Sequence, residues 1–123
     1  MKLIVIDVQK GITDERLYDF DGFIKNVTSI IDAARKNNVE VIYVQHDDGP
    51  GTGFSYGDKD FEIADQMAPK ENEKIFIKTV NSCFGNNDLA NYLLKLGSYN
   101  QKNSFNNLIF CYYRRSLKYV RDF

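Results

Sequence analysis

Apolar and polar positions along this chain fall into two alternating kinds of pattern. Residues 3–6, Leu-Ile-Val-Ile, form a short apolar run, largely β-branched, that ends at Asp7. A run this short, apolar at every position, fits a strand buried on both faces of a sheet. From Gly22 the pattern changes: Phe23, Val27, Ile30, Ile31 and Ala34 recur at helical spacing, with Lys25, Asn26, Asp32, Arg35 and Lys36 between them. This predicts an amphipathic helix of about four turns that stops near Asn37 and Asn38. Residues 39–44 repeat the strand pattern, and residues 47–58, DDGPGTGFSYGD, have the Gly/Pro content of a loop. Residues 61–67 suit a short helix ended before Pro69, and residues 74–77 a third strand. Leu89, Leu93, Leu94 and Leu96 predict a second long helix over 87–96. Residues 108–111 read as a fourth strand and residues 116–123 as the start of a third helix.

Short buried strands alternating with helices are the signature of βαβ units and a parallel sheet. Right-handed crossovers then place helices on both faces. The expected fold is a three-layer αβα, Rossmann-like parallel sheet of about four strands, with residues 1–123 as one domain. Ligands in such folds gather beyond the carboxyl ends of the strands. The residues to inspect are therefore Asp7 and Gln9, residues 45–48, Lys78, and whatever follows Phe110. Residues 97–107, GSYNQKNSFNN, are polar and longer than a connection from helix to strand normally requires.

Composition narrows the function classes. Of 123 residues, 43% are hydrophobic and 27% charged, with a net charge of −1, an ordinary globular balance. Nothing in it suggests a nucleic-acid or membrane partner. The one basic cluster, Arg114, Arg115, Lys118 and Arg121, reads as a solvated helix face. The opening MKLIVID is too short an apolar run for a signal peptide or a membrane span, so a cytoplasmic protein is expected. Two cysteines with no scaffold spacing point the same way, to free thiols. With His46 as the single histidine, a zinc site has almost no soft ligands to draw on.

Several strand ends carry chemistry. Asp7 closes the first strand, where an acid can serve as a phosphoacceptor, as a general base, or as a turn cap. A dehalogenase-type phosphatase needs a second Asp where this chain has Gln9, and a receiver domain needs one where it has Lys78. The general base and the turn cap remain. An acid following four buried residues is costly to desolvate without a partner, and Lys78, after the third strand, could neutralise it. Such a cation would also favour a nearby thiolate. His46 reads as a hydrogen-bonded support, Asp47 and Asp48 as turn residues, and Cys83 as a small buried residue near a helix start.

The joint order of these residues is more telling than any one of them. VIDVQKGI at 5–12, AARKNNVEVIYVQHDD at 33–48 and IFIKTVNSCFGNNDLANYL at 75–93 resemble the isochorismatase-like cysteine hydrolases, the superfamily of nicotinamidases, carbamoylsarcosine amidases and isochorismatases. The resemblance implies a catalytic triad: Asp7 as the base, Lys78 as the cation beside it, and a cysteine after the fourth strand as the nucleophile. A small amide would be cleaved at its C–N bond through a thioester. Gln9, His46 and Phe84 would line or support the substrate pocket. Nicotinamidases of this superfamily hold a metal with Asp/His/His; one histidine cannot supply that set, so no metal and no cofactor is expected.

The resemblance thins where the nucleophile belongs. The family pattern there has a Gly and then a Thr ahead of the Cys, and neither follows Leu108. Two registers stay open. In one, residues 108–111 are the strand and Cys111 a strand cysteine. In the other, the segment from Phe110 onward is the catalytic turn and helix, with Cys111 as nucleophile. The family's further elements are missing after Phe123, which suggests a domain incomplete at its C-terminus. The expectation is a small-molecule hydrolase using Asp7, Lys78 and Cys111. Its alternative is an inactive member that binds a ligand or itself, the open sheet edge then favouring a homodimer.

Overall fold

The computed structural model describes residues 1–96 and 108–112. Its elements in chain order are β1 (Lys2–Ile6), α1 (Phe20–Lys36), β2 (Glu40–His46), β3 (Lys74–Lys78), α2 (Asn87–Leu96) and β4 (Leu108–Tyr112). The four strands make one parallel sheet in the order β3-β2-β1-β4. The expected polar connection at 97–107 and the expected helix at 116–123, with its basic cluster, lie outside the described residues. Among the described residues no helix is long and apolar enough to cross a membrane.

Every residue from Leu3 to Ile6 is buried, as the uninterrupted apolar run requires. Period-two alternation divides them between two cores. Leu3 and Val5 pack with Val41 and Tyr43 of β2 against Val27, Ile31 and Ala34 of α1. Ile4 and Ile6 pack with Ile42 and Val44 against Leu89 of α2 and against Cys83. The helices thus cover opposite faces, giving the three layers. Full burial of a side chain such as Ile31 contributes about 2–3 kcal/mol.

Local signals set the limits of α1. Asp19 caps its start by accepting from the Gly22 N–H at 3.3 Å. A Cβ at Gly22 would stand 2.2 Å from that carboxylate, so a larger residue there would push the cap aside. At the other end Asn38 takes a left-handed φ of 55°. This lets the Val39 N–H reach back to the Ala34 carbonyl at 2.8 Å, a Schellman closure.

The segment 61–67 is not the short helix its composition suggests. Two single 3₁₀ turns, Lys59–Phe61 and Asp65–Met67, bracket an extended stretch in which Ile63 bridges Gln9 antiparallel. The Ala64 N–H bonds the Val8 carbonyl at 2.9 Å and the Lys10 N–H bonds the Glu62 carbonyl at 2.8 Å. These cross-chain bonds replace the intrahelical ones. They also anchor the chain segment that follows β1 to the stretch between the two 3₁₀ turns.

Candidate active site

β1, β2 and β3 end side by side, and their last residues converge. Asp7 follows β1 and is only 3% exposed, while His46 and Lys78 are the final residues of β2 and β3 and stand in register. β2 and β3 therefore run slightly further than the apolar pattern predicts, and His46 and Lys78 lie within strands rather than beyond them. Asp7 still donates its N–H to the Val44 carbonyl at 3.1 Å, but its φ of 58° turns the chain out of the sheet. A left-handed backbone at a non-glycine residue stores strain and is typical of functional positions.

Lys78 Nζ lies 3.1 Å from Asp7 Oδ1, with both side chains at least 96% buried. The approach is off the hydrogen-bonding direction, so Asp7 Oδ1 is ion-paired yet makes no hydrogen bond. The same ammonium donates to the Asn81 carbonyl at 3.3 Å and contacts His46 Nδ1 at 3.5 Å. His46 Nε2 in turn lies 2.8 Å from Asp48 Oδ1. Asp47 is occupied with its own loop: its carboxylate accepts the Gly49 N–H at 2.7 Å. Hydrogen bonds from Ser55 and from Gly49 hold its carboxyl below the usual range.

Gln9 is fully buried. Its Oε1 accepts the His46 N–H at 2.7 Å, and its Nε2 donates to the carbonyls of His46 and Phe61, both at 2.9 Å. Gln45 Nε2 donates to the Phe61 carbonyl as well, at 2.9 Å. The side chain of Gln9 is thus committed to backbone, and it ties the end of β2 to the 3₁₀ turn Lys59–Phe61.

Ser82 caps the 3₁₀ turn Cys83–Gly85 by accepting the Phe84 N–H at 3.3 Å. The Phe84 ring remains 40% exposed. Cys83 faces the core beneath the turn, and its thiol feels both members of the ion pair. Burial pushes it above its ordinary range; Lys78 pulls it down and Asp7 pushes it up. Cys111 lies in the backbone of β4, in register with Val5, two residues before the level of Asp7. That is the first of the two registers left open by the sequence. A separate groove of about 550 Å³ opens beside the start of α1, lined by residues including Lys10, Thr13, Phe20 and Lys59.

The structure therefore brings Asp7, Lys78 and His46 together, with Gln9 behind them and Phe84 on the turn that follows Lys78. Asn81 and Phe61 were not visible from residue type, because each acts through its backbone carbonyl. Asp48 was visible only as half of an acidic pair, and its partner is a ring nitrogen.

Comparison with known proteins follows the same residues. The family described as Isochorismatase domain matches residues 2–110. An uncharacterised isochorismatase family protein, YrdC of Bacillus subtilis, is 33% identical over 94 residues, covering 74% of this chain and 50% of the relative. An isochorismatase of Pseudomonas putida superposes with a TM-score of 0.70 at 30% identity, over 78% of this chain and 50% of that one. A cysteine hydrolase of Pseudomonas syringae pv. phaseolicola gives a TM-score of 0.64 at 25% identity, over 76% and 53%. The chain thus spans about half the length of the relatives it matches. The match takes in the sheet and the strand ends where Asp7 meets Lys78, and this chain belongs to the isochorismatase family.

Proposed function

We propose that the Asp7–Lys78 crevice serves a cysteine hydrolase that cleaves the C–N bond of a small amide through a thioester, with Cys111 as the thiol. One observation carries this reading: a buried carboxylate, ion-paired at 3.1 Å, whose Oδ1 makes no hydrogen bond and so has a lone pair available for a proton. A polar atom so placed is costly to keep for stability alone. In the reaction Asp7 takes the thiol proton and the sulfur attacks the carbonyl carbon. The C–N bond then breaks as Asp7 returns the proton to the departing nitrogen. Water, giving its proton to Asp7, attacks the thioester, releases the acid and restores the thiol. Lys78 balances charge on the carboxylate and thiolate. Gln9 and His46 hold the strand ends in place, and the exposed ring of Phe84 offers an apolar wall for substrate. The thiol must stay reduced, which suits a cytoplasmic enzyme. The likeness to a cysteine hydrolase supports thiol chemistry.

A second reading is a member without turnover that binds a small molecule or a second copy of itself. It is favoured by the position of Cys111 within β4, level with Val5 rather than with Asp7. Alkylation by iodoacetamide at about pH 6, followed by mass spectrometry of each cysteine peptide, separates the two. The hydrolase reading expects Cys111 to react faster than a free thiol and to slow in Asp7→Asn. If Cys111 reacts no faster than a free thiol, and Asp7→Asn leaves its rate unchanged, the second reading holds.

A further inference from the structure

Lys78 carries three N–H donors and no acceptor. Three groups surround its nitrogen: Asp7 Oδ1 at 3.1 Å, the Asn81 carbonyl at 3.3 Å and His46 Nδ1 at 3.5 Å. A carboxylate and a carbonyl can only accept. The imidazole is different, because a neutral ring has one N–H and one lone pair, and the partner of the other nitrogen decides which is where. That other nitrogen, His46 Nε2, lies 2.8 Å from Asp48 Oδ1, a carboxylate oxygen that can only accept. The ring proton therefore belongs on Nε2, which leaves the Nδ1 lone pair facing Lys78. The opposite tautomer would aim an N–H at an ammonium and a lone pair at a carboxylate.

The backbone beneath the ring is fixed as well. Gln9 binds both the N–H and the carbonyl of His46, at 2.7 and 2.9 Å, and the side chain of His46 is only 15% exposed. At 3.5 Å the contact with Lys78 is long for a hydrogen bond, so it supplies direction more than energy.

We propose that His46 is a positioning residue: Asp48 holds it in the Nε2–H tautomer, so that Nδ1 faces the Lys78 ammonium and keeps it against Asp7. This makes the exposed loop residue Asp48 an outer determinant of the buried pair's geometry. The proposal rests on Asp7–Lys78 being the working pair of the function proposed above, and its test uses no turnover.

His46 is the only histidine in the chain, so its ring signals are unambiguous. A long-range ¹H–¹⁵N correlation spectrum of the full chain, at alkaline pH with the ring neutral, reads the tautomer directly. The expected result is an unprotonated Nδ1 and a protonated Nε2, shifting toward a mixture in Asp48→Ala. A predominant Nδ1–H form in the unaltered protein, or an Asp48→Ala spectrum identical to it, overturns the proposal. The second readout is hydrogen exchange at the Lys78 ammonium. His46→Leu removes the acceptor and should speed exchange about two- to threefold, the low end for a lost hydrogen bond. His46→Asn places an amide oxygen near the former Nδ1 and should restore protection. Unchanged exchange in a folded His46→Leu protein overturns the proposal; if that variant does not fold, the tautomer decides alone. An Nε2–H tautomer in a protein without hydrolase activity would overturn only the hydrolase reading, and an Nδ1–H tautomer in an active protein only this one.

Discussion

Removing the ammonium of Lys78 tests whether the buried ion pair is held for stability or against it. Two unit charges 3.1 Å apart attract by about 5 kcal/mol at an effective dielectric constant of 20. Desolvating each ion costs several kcal/mol, so the pair comes close to break-even relative to apolar residues of the same volume. Breaking it is a different matter. Lys78→Met leaves the Asp7 carboxylate buried and unpaired, with an expected loss of about 3–5 kcal/mol. That is a large part of the roughly 5–15 kcal/mol that holds a typical domain together. Asp7→Asn is the matching change, because asparagine also tolerates the left-handed φ of 58° and so isolates charge from backbone strain. Urea unfolding of the unaltered protein, both single variants and the double variant should show each single variant strongly destabilised. The double variant should be close to the original, with a coupling energy of about 3 kcal/mol or more at constant m value. If Lys78→Met costs less than about 1 kcal/mol and the double variant loses the sum of the singles, the two groups do not interact. The site as described would then be wrong.

Other expectations follow from pairs outside the crevice. Arg35 grips the nearly buried Glu73 through two bonds, at 2.8 and 2.9 Å, so Glu73→Gln should cost about 1.5–3 kcal/mol in urea unfolding. Burial raises the Glu73 carboxyl, but Arg35 and the Lys70 N–H outweigh it and leave it below its ordinary value. Its contribution is therefore full above the unfolded-state value and lost as pH falls through the folded one, and Glu73→Gln should flatten the acid limb of stability. Tyr92, desolvated and bonded to Glu40, is pushed up to about 12 from an ordinary 10.0. Its stabilising effect should be complete below 10.0 and decline as pH rises toward 12; ultraviolet titration should show a late-ionising component that is lost in Tyr92→Phe. Gln9→Leu strands the N–H and carbonyl of His46, and hydrogen exchange at the His46 amide should become fast in a protein destabilised by about 2–4 kcal/mol.

The fold and the ion pair were legible because each depends on runs that sequence shows directly. Four apolar residues followed by Asp7, and the apolar run 75–77 followed by Lys78, mark two strand ends whatever the intervening chain does. Parallel pairing then brings neighbouring strand ends to one edge of the sheet. The C-terminal end of α1 was legible for a similar reason, since Asn37, Asn38 and the helical spacing are local, whereas its start at Phe20 lies two residues before the Gly22 that the spacing indicated. Residues 61–67 were not, because the bonds that hold them extended come from Val8 and Lys10, more than fifty positions away. Gln9 illustrates the same limit. The resemblance implied a residue that lines or supports the pocket; the partners of its amide, His46 and Phe61, lie 37 and 52 positions distant and no local pattern names them.

Cys111 shows where local pattern and tertiary register part company. A four-residue apolar run containing a cysteine reads equally well as a strand or as the approach to a nucleophilic turn. What separates them is alignment with β1, which places Leu108 beside Lys2 and Cys111 beside Val5. In a parallel pair, residues at one level end at one level, so a group meant to meet Asp7 must follow Cys111 by about two residues. In this register, for Cys111 to serve as the proposed nucleophile β4 has to slip by about two residues along β1. Such an even shift preserves which side chains face each core and so carries no penalty of inverted burial. The alkylation experiment therefore reports on register as much as on reactivity. A fast Cys111 that slows in Asp7→Asn would mean that the slipped pairing is populated, and an inert one that β4 stays where Val5 holds it.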